Sequence, residues 1–209
     1  MEDELLTIVV RLKNQGTFKK VVLLLNTGNP VQMKDVAAYY DGIDVCMWIG
    51  QPGSTGINAV ADILKGEINP SGRLPDTWAY DLNSAPATVN DGNYLYGNDS
   101  LLNGEGYGDR PNAKQDYYGR YMVYQEGIYV GYRYYETRYA DCVNGEGDAT
   151  SSAGAKMSED GWDYASEVAF PFGYGLSYTT FEYSDFNVSE RLRESDGAYY
   201  YTVSVTVTN

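Results

Sequence analysis

No histidine occurs among the 209 residues. That removes the Ser-His-Asp triad, the Cys-His pair and the His-ligated zinc from the chemistry the chain can carry. The two cysteines, Cys46 and Cys142, fit neither a disulfide framework nor a metal site of ordinary spacing. Cys46 lies in an apolar run and reads as a small buried hydrophobe. Carboxylates and tyrosines remain. Gly104-Glu-Gly-Tyr-Gly-Asp-Arg-Pro111 carries Glu105, Tyr107 and Asp109 on a glycine-rich loop, two hydrogen-bond acceptors around a ring that can stack on a ligand. Glu126 and Glu136 flank an aromatic segment, and they are expected to bond backbone or Arg133 and Arg138 rather than to react. The Gly50 to Gly56 loop precedes a helix as phosphate-cradling loops do. It lacks both G-x-G-x-x-G and the G-K-S/T ending, so no nucleotide cofactor is expected.

The formal net charge of −14 would repel a phosphate backbone, which argues against nucleic acid as a partner and reads as a solvated surface. At 43% apolar and 14% aromatic content the chain can bury enough surface to fold. No apolar run approaches the length of a membrane span, and no charged-then-apolar leader is visible, which favours a cytoplasmic location and no membrane partner.

The elements that must hold these residues follow from periodicity. Leu5, Leu6, Ile8, Val9 and Leu12 stand at helical spacing, with Asp3 as N-cap and Gly16 as the stop. Val21 to Leu25 and Val45 to Ile49 are continuous apolar runs, the pattern of parallel strands covered on both faces. Each ends in a turn-rich loop, Asn26-Thr-Gly-Asn-Pro30 and Gly50-Gln-Pro-Gly53. A helix capped by Ser54 follows the second, carrying Ile57, Val60, Ala61 and Leu64, and Gly66 ends it. Strand, loop and helix in repetition predict an α/β fold: an open, mostly parallel sheet with helices on both faces. Right-handed crossovers would place both loops at one carboxyl edge, where such sheets bind ligands.

Asn69-Pro-Ser-Gly-Arg-Leu-Pro75 is a pair of turns leading into a short strand from Thr77 to Tyr80. Residues from about 83 to 121 and from 144 to 162 read as two long loops. The intervening Ile128-Tyr-Val-Gly-Tyr-Arg-Tyr-Tyr reads as a strand. Phe170-Pro-Phe-Gly-Tyr-Gly-Leu-Ser-Tyr-Thr-Thr-Phe181 is an aromatic-walled turn expected to pack on the Tyr124 to Glu136 segment. Phe181 to Val188 and the strictly alternating Tyr199 to Asn209 close the chain as β-strands of an incomplete sandwich.

Four blocks carry a resemblance: LLLNTGNPV from Leu23, WIGQPGSTGINAVADILKGEINPSGRLPDTW from Trp48, EGIYVGYRYYE from Glu126 and FPFGYGLSYTTF from Phe170. In order and spacing they are similar to the C-terminal domain of glycoside hydrolase family 3, the β-glucosidase-like enzymes. The resemblance implies an α/β domain over residues 1–181 and, over 182–209, the start of a fibronectin-type-III-like domain. It implies retaining hydrolysis of terminal β-linked sugars, with no metal and no cofactor. Retaining enzymes use two carboxyl groups about 5 Å apart. In this family the nucleophile is an aspartate on a preceding (β/α) barrel, and the acid/base is a glutamate on the α/β domain, some tens of residues upstream of the strand matching Val21 to Leu25. Both fall before Met1, so no catalytic residue is carried over, and the implied partners are that barrel and a small carbohydrate. Glu105, Tyr107 and Asp109 would then sit on a loop able to wall a sugar pocket. Two other readings are a non-catalytic carbohydrate-binding or assembly module, and a fragment that self-associates through an exposed former interface.

Overall fold

The computed structural model of the chain describes residues 2–90, 124–193 and 195–209. Contacts divide it into two units, Met1–Ile57 with Arg73–Tyr174, and Asn58–Gly72 with Gly175–Asn209.

The first unit begins with helix α1 (Glu2–Asn14). It starts two residues earlier than expected, so Asp3 stands inside the helix and is not its N-cap. Its end is as expected. Gly16, at φ +79°, lets the Thr17 amide reach the Leu12 carbonyl at 3.0 Å and its own amide reach Lys13 at 2.8 Å, a closing pair that needs a left-handed residue. Strands β1 (Val22–Leu25) and β2 (Val45–Trp48) pair in parallel, Val22 opposite Val45 through Leu25 opposite Trp48. Between them lie helix α2 (Lys34–Ala37) and a 3-10 turn at Tyr40–Gly42, whose Gly42 sits so close that an added Cβ would meet the Val10 side chain.

Leu23, Leu25 and Trp48 pack on a core centred on Met33, Val36 and Trp78. The other face leaves Val22, Leu24 and Val45 exposed, so among the described residues the strands are covered on one face, not two. Cys46 is also exposed, contrary to its apolar context. β2 has a single neighbour among the described residues, and a strand with a free edge leaves side chains accessible along it.

Asp44 anchors the entry to this pair. It accepts from Lys13 Nζ at 2.7 Å, Lys20 Nζ at 3.0 Å and the Val21 amide at 2.8 Å. The Lys13 ammonium above all, then the Val21 amide and Lys20, hold its carboxyl well below the usual carboxylate range. A depressed pKa stabilises the fold above the unfolded value, about 4, and that contribution is lost as pH falls through and below it. Asp44→Asn should therefore lower the urea midpoint at pH 7, and the gap to wild type should narrow by pH 3. A gap that is constant across this range would exclude the ion cluster as its cause.

Strand β3 (Trp78–Ala79) pairs antiparallel with β4 (Val168–Phe170), which follows helix α6 (Tyr164–Glu167). The Met33 and Lys34 amides bond the carbonyls of Ala79 and Tyr80, tying α2 to this ladder. A second core gathers Ala79, Ala85, Tyr135, Trp162 and Val168 beside a 3-10 turn at Leu82–Ser84 and helix α4 (Pro86–Val89).

The segment expected as a strand at 128–135 is instead the approach to helix α5 (Tyr132–Asn144) and its first turn. Tyr135, Arg138 and Cys142 fall on one helical face and turn inward, Tyr135 being almost fully buried. Gly131 at φ +62° sets the entry and Gly145 at φ +70° the exit. The expected contact with the later aromatic turn exists: Tyr132 and Phe172 stack with ring centroids 4.3 Å apart.

In the second unit, helix α3 (Gly53–Lys65), which begins in the first, ends as expected at Gly66. It starts at Gly53, so Ser54 is in its first turn and is not its cap. Strands β5 (Glu182–Leu192) and β6 (Tyr199–Thr208) form an antiparallel hairpin. Between the pairs Ser184–Thr206 and Asn187–Ser204 the register shifts, with Asp185 at φ +53°. That bulge changes the alternation of β5, so Tyr183 and Val188 both fall on the side of Val203 and Val207. No closed barrel and no helix long and apolar enough to cross a membrane occurs among the described residues.

Candidate functional site

The parallel pairing of β1 and β2 brings their two following loops together, as the crossover argument requires. Trp48 Nε1 donates to the Thr27 carbonyl at 2.6 Å, clamping the end of one strand to the loop of the other. Thr27 Oγ1 in turn accepts from the Asn29 amide and donates to the Asn29 carbonyl, which closes a tight turn. Gly28 lies against Gln51, whose Nε2 would be 3.2 Å from an added Cβ. The side chains offered at this edge are Asn26, Thr27, Asn29 and Gln51. They can donate to and accept from hydroxyl groups. None titrates near neutral pH, so none can serve as a general acid or base. The edge can therefore hold a polar ligand through hydrogen bonds.

A cleft of about 860 Å³ opens in the first unit between α4, the inner face of α5 and the loop after Gly145. Its hub is Arg138. Nε donates to the Ala149 carbonyl at 2.7 Å, and the two terminal nitrogens reach Ser151 and Ala153 carbonyls and the Tyr134 hydroxyl at 2.7 to 2.9 Å. The guanidinium also lies 4.6 Å above the Trp162 ring. The region expected as a long loop at 144–162 is thus, beyond the end of α5 at Asn144, free of helix and strand but wrapped on one cation. Glu136, expected to bond backbone or an arginine, accepts instead from the Tyr164 hydroxyl at 2.6 Å. Burial first, and then that carboxylate, push the Tyr164 phenol up, so it stays protonated. Glu126 lines the cleft with Oε2 buried and without a partner among the described residues. Arg133, among the described residues, donates to the Ile128 carbonyl at 3.4 Å and forms no salt bridge.

Glu105, Tyr107 and Asp109 lie outside the described residues. Two acids that the sequence did not single out are conspicuous in the structure. Glu167 is fully buried, and its Oε1 accepts from the Lys156 and Met157 amides at 2.7 and 3.1 Å. Asp76 Oδ1 accepts from the Thr77 and Tyr132 amides at 2.8 and 2.7 Å, capping α5 from a distant part of the chain. The only signal for Asp76 was its place between a Leu-Pro turn and a short strand. For Glu167 there was none, since a carboxylate in a fully buried position has no pattern of its own.

Residues 2–132 match the model of the glycosyl hydrolase family 3 C-terminal domain. A β-glucosidase of Ruminococcus albus is 33% identical over 172 residues, 82% of this chain and 13% of that protein. β-Glucosidase B of Emericella nidulans is 30% identical over 213 residues, 97% of this chain and 20% of that protein. Among solved structures, β-glucosidase 3B from Thermotoga neapolitana in complex with α-D-glucose shares 36% identity at a TM-score of 0.56, over 90% of this chain and 19% of that one. A β-glucosidase from Paenibacillus barengoltzii shares 29% identity at a TM-score of 0.60, over 100% of this chain and 16% of that one. The chain spans 13% and 20% of the length of the two curated relatives it matches. With the family model covering more than half of its residues, the chain belongs to glycoside hydrolase family 3, as a C-terminal domain of that family.

Proposed function

We propose that this chain is the part of a retaining β-glycosidase that completes, rather than performs, the cleavage of terminal β-linked sugars. The reading rests on one observation: the loop edge of β1 and β2 offers amides and hydroxyls to a polar ligand and no group that titrates. An enzyme of this class needs two carboxyl groups, and in this reading a (β/α) barrel supplies the nucleophile while a glutamate of the α/β domain, upstream of β1, supplies the acid/base. The relatives named as β-glucosidases support the substrate class. No metal or cofactor takes part.

In this reading residues 1–181 form an open, mostly parallel α/β sheet with helices on both faces, of which β1 and β2 are two strands. Residues 182–209 begin a fibronectin-type-III-like sandwich. What supports the latter is the one-sided hairpin, whose Tyr183, Val188, Val203 and Val207 form an apolar face beside a Ser/Thr face.

The purified chain is expected to leave an aryl β-glucoside intact, and addition of a polypeptide that carries both the barrel and the upstream acid/base glutamate is expected to restore release of the aryl group. Turnover by the chain alone, abolished by replacing one of its own carboxylates, would overturn the proposal. The self-association reading is favoured by the same exposed hairpin face, and sedimentation of the chain with and without the barrel separates it.

A further inference from the structure

We propose that the cavity at the start of α5 is a binding site for a single neutral sugar ring. About 290 Å³ in volume, it is lined by Pro75, Asp76, Val130, Gly131, Tyr132 and Arg133. Three features define its chemistry. First, Asp76 is a preorganised acceptor. Two amides fix Oδ1, and Oδ2 has no hydrogen-bond partner among the described residues, so one oxygen is held in place and open to a ligand. Second, Arg133 makes no salt bridge among the described residues. Its guanidinium stands 5.6 Å from the Tyr132 ring centroid, with donor capacity left over after one long contact to Ile128. Third, the Tyr132 ring is backed by Phe172, which fixes its plane, and Pro75 and Val130 add apolar wall.

A fixed carboxylate oxygen, a guanidinium and a braced ring suit a molecule that presents hydroxyl donors, hydroxyl acceptors and a C–H face. An anion is excluded by Asp76, whose oxygen already occupies the helix N-terminus. A metal cation is disfavoured by Arg133 and by the single available carboxylate oxygen. Gly131 is what lets the parts meet: its φ of +62° is a conformation that strains other residues, and an added Cβ would stand 3.0 Å from Asp76 Oδ1 and press on the carboxylate. The polyhydroxyl class follows from the cavity alone. The choice of a pyranoside as probe rests on the glycosidase reading.

The test is an amide NMR titration of the chain with methyl β-D-glucopyranoside. Shifts are expected to concentrate at Asp76 and Gly131 to Arg133. Arg133→Ala removes an exposed side chain and should keep the fold. It should weaken binding about tenfold, the loss of one hydrogen bond to a charged group, and Asp76→Asn should do the same. Absence of shifts at these amides, or unchanged affinity in a folded Arg133→Ala protein, would overturn the proposal. Hydrolysis beside the barrel is read separately. Lost binding with retained turnover condemns this cavity alone, whereas retained binding with no turnover supports the cavity and condemns the glycosidase reading alone.

Discussion

Replacing Trp78 by alanine is expected to lower the unfolding free energy by about 3–5 kcal/mol, the range for truncating a large buried aromatic residue. Trp78 is 2% exposed. It meets the Trp48 ring edge-on at 5.7 Å, and Met33, Val36, Leu25 and Phe170 belong to the same cluster. These partners come from β1, β2, α2 with the residue before it, and β4, so no single element can shift to refill the space. The measurement is a urea or thermal unfolding curve of the variant. Trp78→Phe, which keeps a ring, should lose appreciably less. A loss under about 1 kcal/mol for the alanine variant would mean that this cluster is not where the first unit holds together.

Arg138→Met should cost about 2–4 kcal/mol, and most of the damage should be local. Methionine keeps much of the aliphatic stem, so what is removed is the fork. The carbonyls of Ala149, Ser151 and Ala153 then lose their shared donor, and the loop after Gly145 has no regular hydrogen-bond ladder to fall back on. Hydrogen exchange should quicken between residues 148 and 156, with the β1–β2 amides unaffected. Arg138→Lys should rescue little. An ammonium keeps the charge but cannot span three carbonyls in one plane. Full rescue by lysine would show that charge, not geometry, organises this region.

How much of this was legible in the sequence depends on the range over which each signal acts. The runs at Val22–Leu25 and Val45–Trp48 and the glycine stops at Gly16 and Gly66 are local, and each element formed where it was read. The helix starts at Glu2 and Gly53 were read a residue or more late, because a plausible capping side chain at Asp3 or Ser54 says nothing about where the backbone first turns. The misreading of α5 has a different cause. Over eight residues Ile-Tyr-Val-Gly-Tyr-Arg-Tyr-Tyr imitates a strand, whereas the inward face defined by Tyr135, Arg138 and Cys142 appears only over a longer window. Asp76 was invisible as a cap because the helix it serves lies far along the chain, and no rule of local spacing links Asp76 to Tyr132. The carboxyl-edge loops were legible because topology, not side-chain detail, places them. Cys46 was misjudged because an apolar run reports what a strand prefers, not whether a neighbour arrives to cover it.

The antiparallel pairing of Trp78 with Phe170 carries a consequence for how the polypeptide is made. A ribosome delivers β1, β2 and β3 well before β4, so the Met33 and Trp78 side chains must wait, partly wet, until Ala169 and Phe170 leave the exit tunnel. Nascent chains stalled short of Phe170 should therefore be open to protease at sites that the finished molecule hides, and the change should come abruptly once β4 has emerged.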